Sequence, residues 1–271
     1  MTQARDTAFQ ATVLDYYAAH GRHDLAWRQP DKTGFDPYKI LVSELMLQQT
    51  QVARVIPKYD LFLKQFPTVE LLAAAPLGAV LTAWSGLGYN RRAQYLQRAA
   101  QAIVADFNGV FPRMAPDLVR LPGVGSNTAG AILAYSFNQP VLFIETNIRS
   151  VYIHHFFNDA SQVTDKAIMT QLAATLDATN PRQWYWALMD YGSYLKQSTG
   201  NAARRSASYS KQSTFAGSQR QLRGQVIRIL SQKSLTLQQL QSQLTDERLP
   251  VVLETLVNEG LVQKTGQRYQ L

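Results

Sequence analysis

Cysteine is absent from the 271 residues. Its absence excludes disulfides, thiolate-held iron–sulfur clusters, thiolate zinc fingers and cysteine nucleophiles, and leaves the redox compartment undetermined. No segment approaches the roughly 20 consecutive apolar residues that span a bilayer. The opening stretch MTQARDTAFQATVLDYYAAHG has too little continuous apolar sequence for a signal peptide. Acidic charge is also scarce: 19 Asp and Glu against 27 Lys and Arg leave a formal net charge of +8. Such a balance predicts attraction to a polyanion, either nucleic acid or an anionic membrane surface, and does not choose between them. What is present is ordinary for a folded protein, 46% hydrophobic and long enough for one large or two modest cores. The expectation is a soluble intracellular chain with no membrane segment.

Convincing strands are lacking through the first 200 residues. Phe9, Val13, Tyr16 and Tyr17 give residues 5–20 a helical spacing. Helical patterns recur at 38–54, 57–65, 68–74, 76–84, 91–106, 115–120, 126–137, 147–156, 165–177 and 181–198. Several starts carry helix punctuation: Thr68 after Pro67, Pro76, and Asn180 followed by Pro181. This part reads as an all-α assembly. From Asn201 to Lys233 there is no acidic residue, while Arg204, Arg205, Lys211, Arg220, Arg223, Arg228 and Lys233 make a basic connector. Helices near 219–231, 236–244 and 250–258 follow, then LVQKTGQRYQL with Gly266 between two short alternating runs. Three helices and a hairpin predict a small winged-helix domain at 218–271. Glu254 and Glu259 suit its third helix poorly to a DNA groove, so DNA contact and packing against the main body both remain open.

The segment MAPDLVRLPGVGSNTAGAILAYSF carries the clearest local signal. Leu118 and Leu121 close a short helical pattern, LPGVG is too tight and glycine-rich to continue it, and Thr128 to Phe137 resumes the period with small residues. Gly123 and Gly125 let consecutive amides point outward at the second helix's start, where N–H groups and the helix dipole favour a phosphate oxygen. The Leu121–Gly125 carbonyls offer a seat for an alkali cation. A plain glycine turn between packed helices is the alternative; Asn127, Thr128 and the basic charge favour phosphate. Contacts of this kind position a duplex without reading its sequence.

Two carboxylates stand at polar breaks in apolar patterns. Glu44, in DPYKILVSELMLQQTQVARVIPKY, lies near Ile40, Leu41, Leu47 and Gln48 on one helical face. Burial there would raise its pKa and suit it to donate a proton near neutral pH; the alternative is an ion-paired or cap-bonded surface glutamate. Glu145 follows Val141–Ile144 and precedes Thr146 and Asn147, where it either complements a helix start or faces the same cavity as Glu44. An acid and a carboxylate suit cleavage of a C–N bond at which positive charge develops on a sugar. A base within a duplex must first be flipped out and its gap filled, with Gln49 and Tyr89 as wedge candidates. Tyr89 lies in SGLGYNRRA, where Arg91 and Arg92 offer phosphate partners; as a helix-end aromatic it equally suits the core. Trp27 and Arg28 could line a site entrance, and Trp27 equally suits the core. His20, His23, His154 and His155 form no metal constellation with nearby acids.

These motifs resemble the adenine DNA glycosylases that act on adenine opposite 8-oxoguanine, within the helix-hairpin-helix superfamily that includes endonuclease III. PYKILVSELMLQQTQV, FPTVELLAAAP, WSGLGYNRRAQYLQRAA and LPGVGSNTAGAIL come in the family's order between about Leu25 and Lys196. The resemblance implies an all-α core of two helical domains with a cleft, one combining 1–27 with 141–200 and the other at 28–140, followed by a basic linker at 201–217. It assigns Glu44 as the acid that protonates the departing base, Gln49 and Tyr89 as residues entering the stack, Gln48 as a neighbour of the extruded base, and Leu121, Gly123, Val124 and Gly125 as the phosphate-binding hairpin. Bifunctional relatives have a nucleophilic lysine where this chain has Asn127, so base hydrolysis without Schiff-base lyase chemistry is implied.

Three features depart from the family. Glu145, Thr146 and Asn147 stand where it has a catalytic aspartate with glycine and asparagine. QSTGNAARRSASYSKQ replaces the four-cysteine cluster, so no cofactor is expected. The tail is too short for the domain with which classical members read 8-oxoguanine. The expected partner is duplex DNA bearing a mispaired or damaged base: adenine, a modified purine, or a deaminated base such as hypoxanthine or uracil. The expected state is a cytoplasmic monomer, nucleoid-associated in a bacterium. A catalytically weak damage-binding protein is the alternative from another functional class.

Overall fold

The computed structural model describes residues 2–32, 34–211 and 214–271. Among these the helical periods become α1 (Thr2–His20), α2 (Pro37–Leu47), α3 (Val52–Gln65), α4 (Val69–Ala74), α5 (Leu77–Ala83), α6 (Arg91–Phe107) and α7 (Ala115–Leu118). They continue as α8 (Ser126–Phe137), α9 (Thr146–Phe156), α10 (Asp165–Thr175), α11 (Pro181–Ser198), α12 (Gln219–Leu230), α13 (Leu237–Gln241) and α14 (Leu249–Asn258). Strands β1 (Leu235–Thr236), β2 (Gln263–Thr265) and β3 (Arg268–Gln270) all lie near the C-terminus. No described helix is long and apolar enough to cross a membrane.

One expected helix divides. The period at 38–54 is interrupted after Leu47, Gln49 takes a φ of 55°, and α3 begins at Val52 rather than at Pro57. Proline was the expected boundary because it withholds an N–H from the helix ladder. Here the carbonyl it would have met belongs to the exposed Ala53, which water can serve.

Two compact units form. The first contains 1–40, 113–119 and 124–211. Its core lies around α9, whose Ile148, Val151, Tyr152 and Ile153 are buried with Val13 of α1, Ile168 and Leu172 of α10 and Trp184 and Leu188 of α11. The Phe9 ring lies 5.3 Å from Tyr152 and 4.8 Å from Phe156. Helices α9 and α11 approach so closely that a Cβ on Gly192 would lie 2.4 Å from the Asn147 carbonyl oxygen. Buried Asp190 receives two bonds from Arg28, at 2.8 and 2.9 Å, and a backbone N–H from Arg22 at 2.7 Å. Burial alone would push its carboxyl up, but the bonds from Arg28 and Arg22 hold it below its usual value. Trp27 and Arg28 are therefore core residues.

The segment that replaces the cysteine cluster is secured by other means. Arg205 donates to the carbonyls of Phe157, Asn158 and Ala160 at 2.7–3.1 Å. Val163 and Ser206 form a parallel bridge, and Ser208 donates to Asp165 at 3.0 Å. With no thiolate present, these residues do not fit an iron–sulfur cluster.

The second unit contains 41–112, 120–123 and 212–271. Leu45, Phe62, Leu72, Leu81, Trp84, Leu96 and Ile103 make its helical core. The C-terminal part adds Leu222, Val226, Leu240, Val252 and Leu256, and a three-stranded antiparallel sheet ordered β1-β3-β2. It packs against the rest of this unit. Gln94 of α6 donates to the Glu259 carbonyl at 3.0 Å, Arg223 pairs with the Glu259 carboxylate, and the Leu271 backbone closes on Gly78.

Candidate active site

The loop after α2 owes its shape to one buried cation. A helix end leaves four carbonyls without intrahelical partners. Arg92 reaches the α2 end with Nη1, donating to Leu45, Met46 and Gln48 carbonyls at 2.6, 2.9 and 2.6 Å. Its Nη2 donates to Thr50 Oγ1 at 3.1 Å and to the Gly88 and Leu87 carbonyls at 3.0 and 3.2 Å. Burial lowers its pKa to about 10, still a cation at neutral pH. The expected phosphate partner is instead a clamp joining the loop at 48–51 to the loop at 87–89. Neighbouring Arg91 is exposed and lies 3.6 Å from the Glu259 carboxylate.

Among the described residues, four other than glycine have a left-handed backbone. Asn108 and Asn138 are helix C-caps, for which asparagine is suited. Gln49, with φ 55°, and Tyr89, with φ 50°, line the same recess of about 630 Å³. Conformations of this kind are held only where the surroundings determine them, and they cluster at functional sites. Tyr89 lies under the guanidinium of Arg220, 4.8 Å from the ring centroid, and Arg220 also donates to its hydroxyl. The Arg92 guanidinium lies 5.3 Å from the same centroid. Arg54, Phe215, Gln225 and Arg228 also line the recess. Sequence reasoning placed Arg220 and Arg228 in a basic connector and its following helix, but gave no sign that they would join Gln49 and Tyr89.

Glu44 is half-buried on α2, between buried Ser43 and Leu45 and within one turn of Gln48. It belongs to the second unit with Gln48, Gln49, Tyr89 and Arg91. Glu145 belongs to the first unit, at the N-cap of α9. Burial raises its carboxyl pKa; the Arg149 charge and the Thr146 N–H oppose that shift in part. Arg149 is oriented by a two-point pair with Asp165 at 2.9 and 2.8 Å.

In the LPGVG turn Gly123 takes the left-handed backbone that glycine allows, whereas Gly125, at φ −86°, is extended as any residue can be. Gly123 has φ 79°, and a Cβ there would lie 2.7 Å from the Tyr95 Cβ. Gly125 is the N-cap of α8 and opens on free space. Leu121, Val124 and Thr128 are buried. The Asn127 side-chain oxygen accepts the Ile144 N–H at 3.3 Å, which ties the start of α8 to the segment leading into Glu145. The histidines take structural places: His23 Nε2 is 2.9 Å from the Tyr17 carbonyl oxygen and His155 Nε2 is 3.0 Å from the Tyr191 hydroxyl. Burial, with His154 and Arg5 nearby, lowers the His155 pKa to about 4. Among the described residues no group of His, Asp and Glu is arranged to hold a metal ion.

Residues 42–176 match the HhH-GPD superfamily base excision DNA repair protein family. The adenine DNA glycosylase of Mycolicibacterium smegmatis is 32% identical over 277 aligned positions, covering 94% of this chain and 92% of the relative. That of Buchnera aphidicola subsp. Baizongia pistaciae is 37% identical over 191 positions, and there the match spans 69% of this chain and 52% of the relative's length. Among solved structures, a thermostable thymine-DNA glycosylase is similar with a TM-score of 0.61 at 24% identity, covering 70% of this chain and 87% of that one. Endonuclease III in a non-covalent DNA complex gives a TM-score of 0.61 at 18% identity, covering 73% and 89%. At those identities the likeness shows the fold. The near full-length mycobacterial match and the superfamily match together place this chain in the adenine DNA glycosylase family of the HhH-GPD superfamily.

Proposed function

We propose that this chain is a monofunctional DNA N-glycosylase that hydrolyses the bond between deoxyribose and a mispaired or damaged base, adenine or a modified purine, after swinging that base out of a duplex. The observation that carries the reading is the pair of strained residues, Gln49 and Tyr89, on one recess in a chain of net charge +8. They act as the wedge that fills the gap left by the extruded base. The LPGVG backbone and α8's first amides hold a phosphate, with the turn carbonyls able to seat an alkali cation against it.

Glu44 gives its proton to the extruded base, so the electron pair of the breaking C–N bond leaves on a neutral base. Positive charge then develops on the sugar, and the Glu145 carboxylate stabilises it until water adds at that carbon, the water's proton returning to the Glu44 carboxylate. The products are the free base and an abasic site. Asn127 in place of an amine nucleophile supports hydrolysis without a Schiff base. The C-terminal order of helix, strand, two helices and two strands supports a winged-helix-like domain at 218–271. The domain bounds expected from the sequence, 1–27 with 141–200, 28–140, and a linker at 201–217, differ from the two compact units, in which 28–40, 124–140 and 201–211 belong to the first; a monomeric state completes the reading. The additional methylene of Glu145 favours a second reading, a damage-binding protein with weak catalysis.

The test incubates the protein with duplexes carrying single mispairs or damaged bases and measures free base and strand breaks, before and after hot alkali. Free base with breaks only after alkali is the expected result. Breaks without alkali contradict the monofunctional assignment, and lesion binding with no free base across the panel supports the second reading.

A further inference from the structure

Glu145 and Arg149 stand one turn apart at the start of α9, where the Arg149 N–H donates to the Glu145 carbonyl at 2.9 Å. An acid followed four residues later by a base is the spacing at which a helix brings two such side chains together. Among the described residues, however, the ion pair of Arg149 runs to Asp165 of α10 and none runs to Glu145. Asp165 takes the guanidinium edge formed by Nε and Nη2, at 2.9 and 2.8 Å, in the two-point geometry that fixes an arginine most firmly. Asp165 is held in turn by Ser208, which donates to it at 3.0 Å from the segment that stands in place of the cysteine cluster. Few other polar groups face this end of α9. The segment after α11 presents the Ser206 and Ser208 hydroxyls to Asp165, and α11 presents the Met189 carbonyl, which accepts from Asn147 at 3.2 Å. Arg5, Arg205, His154 and His155 gather toward the C-terminal end of α9.

We propose that Asp165 is a positioning residue, which by holding Arg149 keeps that guanidinium off Glu145 and leaves the Glu145 carboxylate free to face the cation that develops on the sugar. The inference rests on Glu145 acting as that carboxylate. A carboxylate bonded directly to a guanidinium has its lone pairs engaged and its charge offset, so it stabilises a second cation poorly. Held by Asp165, Arg149 favours the ionised form of Glu145 from a distance without capturing it. The segment that replaces the cluster thereby reaches the reaction through Ser208 and Asp165.

The test uses the full chain and follows single-turnover base release against pH, together with the titration of the Glu145 carboxyl by carbon NMR, its signal assigned by its loss in Glu145→Gln. Arg149→Met and Asp165→Asn break the same ion pair. They are expected to move the acid limb and the Glu145 titration in opposite directions. Arg149→Met removes a cation and moves both upward. Asp165→Asn removes an anion and releases the guanidinium to Glu145, which moves both downward by about one pH unit. Asp165→Asn should also lower the plateau rate about tenfold, and Asp165→Glu should restore most of it. The double variant should lose no more than Arg149→Met alone, because Asp165 acts only through Arg149. Shifts in the same direction, or losses that add in the double variant, overturn the positioning role and leave an ion pair that serves stability only. A wild-type protein that releases no base from any duplex overturns the glycosylase reading, whereas opposite shifts of the carboxyl titration still uphold the hold of Asp165 on Arg149.

Discussion

Replacing Arg92 by methionine tests whether one buried cation shapes the candidate site. Six acceptors lie within 2.6–3.2 Å of its two terminal nitrogens. Hydrogen bonds to a charged group contribute about 1.5–3 kcal/mol each, but their sum overstates the loss. Gln48, Thr50 and Gly88 are half-buried, so water can serve their oxygens in the variant. The carbonyls of buried Leu45, Met46 and Leu87 are stranded, at roughly 1–3 kcal/mol each. Against this, the variant no longer desolvates a guanidinium, which costs several kcal/mol. The balance is a loss of about 3 kcal/mol, assayed by urea unfolding with the fluorescence of Trp84, whose ring lies 5.4 Å from the guanidinium. Single-turnover base release, under conditions where the variant remains folded, should fall at least tenfold because both loops lose their common anchor. Arg92→Lys should recover only part of either loss, since an ammonium cannot span the two loops as the planar fork does. A methionine variant within about 0.5 kcal/mol of wild type and equally active would refute the clamp.

Three further outcomes follow from the first unit. Because burial raises the Glu145 carboxyl, its folded form holds a proton at pH values where the unfolded chain has lost it, so its ionisation costs stability as pH rises through the folded pKa. Base release that needs its carboxylate should fail on the acid side at a higher pH than an ordinary carboxylate dictates, and Arg149→Met should move that limb further up; an unmoved limb contradicts the role. Asp190→Asn should cost about 3–5 kcal/mol, read by chemical unfolding, because it leaves the buried Arg28 cation without its counter-charge. Arg205→Ala should cost about 1–3 kcal/mol and increase amide exchange at 157–163, since it withdraws the donors that secure that segment without a cluster.

The helices were legible because their apolar residues recur at the helical period: Phe9, Val13 and Tyr17 point inward in α1, as do Leu96, Ala99 and Ile103 in α6. The break after Leu47 was not, because a periodic pattern carries no record of a clamp contributed from 44 residues further along the chain. Arg92 did leave a trace, in phase with Leu96, Ala99 and Ile103 on the buried face of α6, where a solvated arginine has no place. Gln49 and Tyr89 could be singled out through motif resemblance and neighbouring glycines. The share of α12 could not, because more than a hundred residues separate Tyr89 from Arg220 and only tertiary packing brings them together. Glycine turns announced the LPGVG backbone, whereas the burial of Leu121, Val124 and Thr128 depended on partners that the local sequence does not contain.

The most direct test of the proposed chemistry is a comparison of Glu44→Gln with wild type on the duplex that wild type processes best, measuring both affinity and free base in a single turnover. Glutamine keeps the shape of Glu44 and its place on α2 but has no acidic proton to give. The account predicts affinity within a fewfold of wild type and base release lowered by at least about a hundredfold, the scale of general acid catalysis. Equal rates of base release by the two proteins would contradict it.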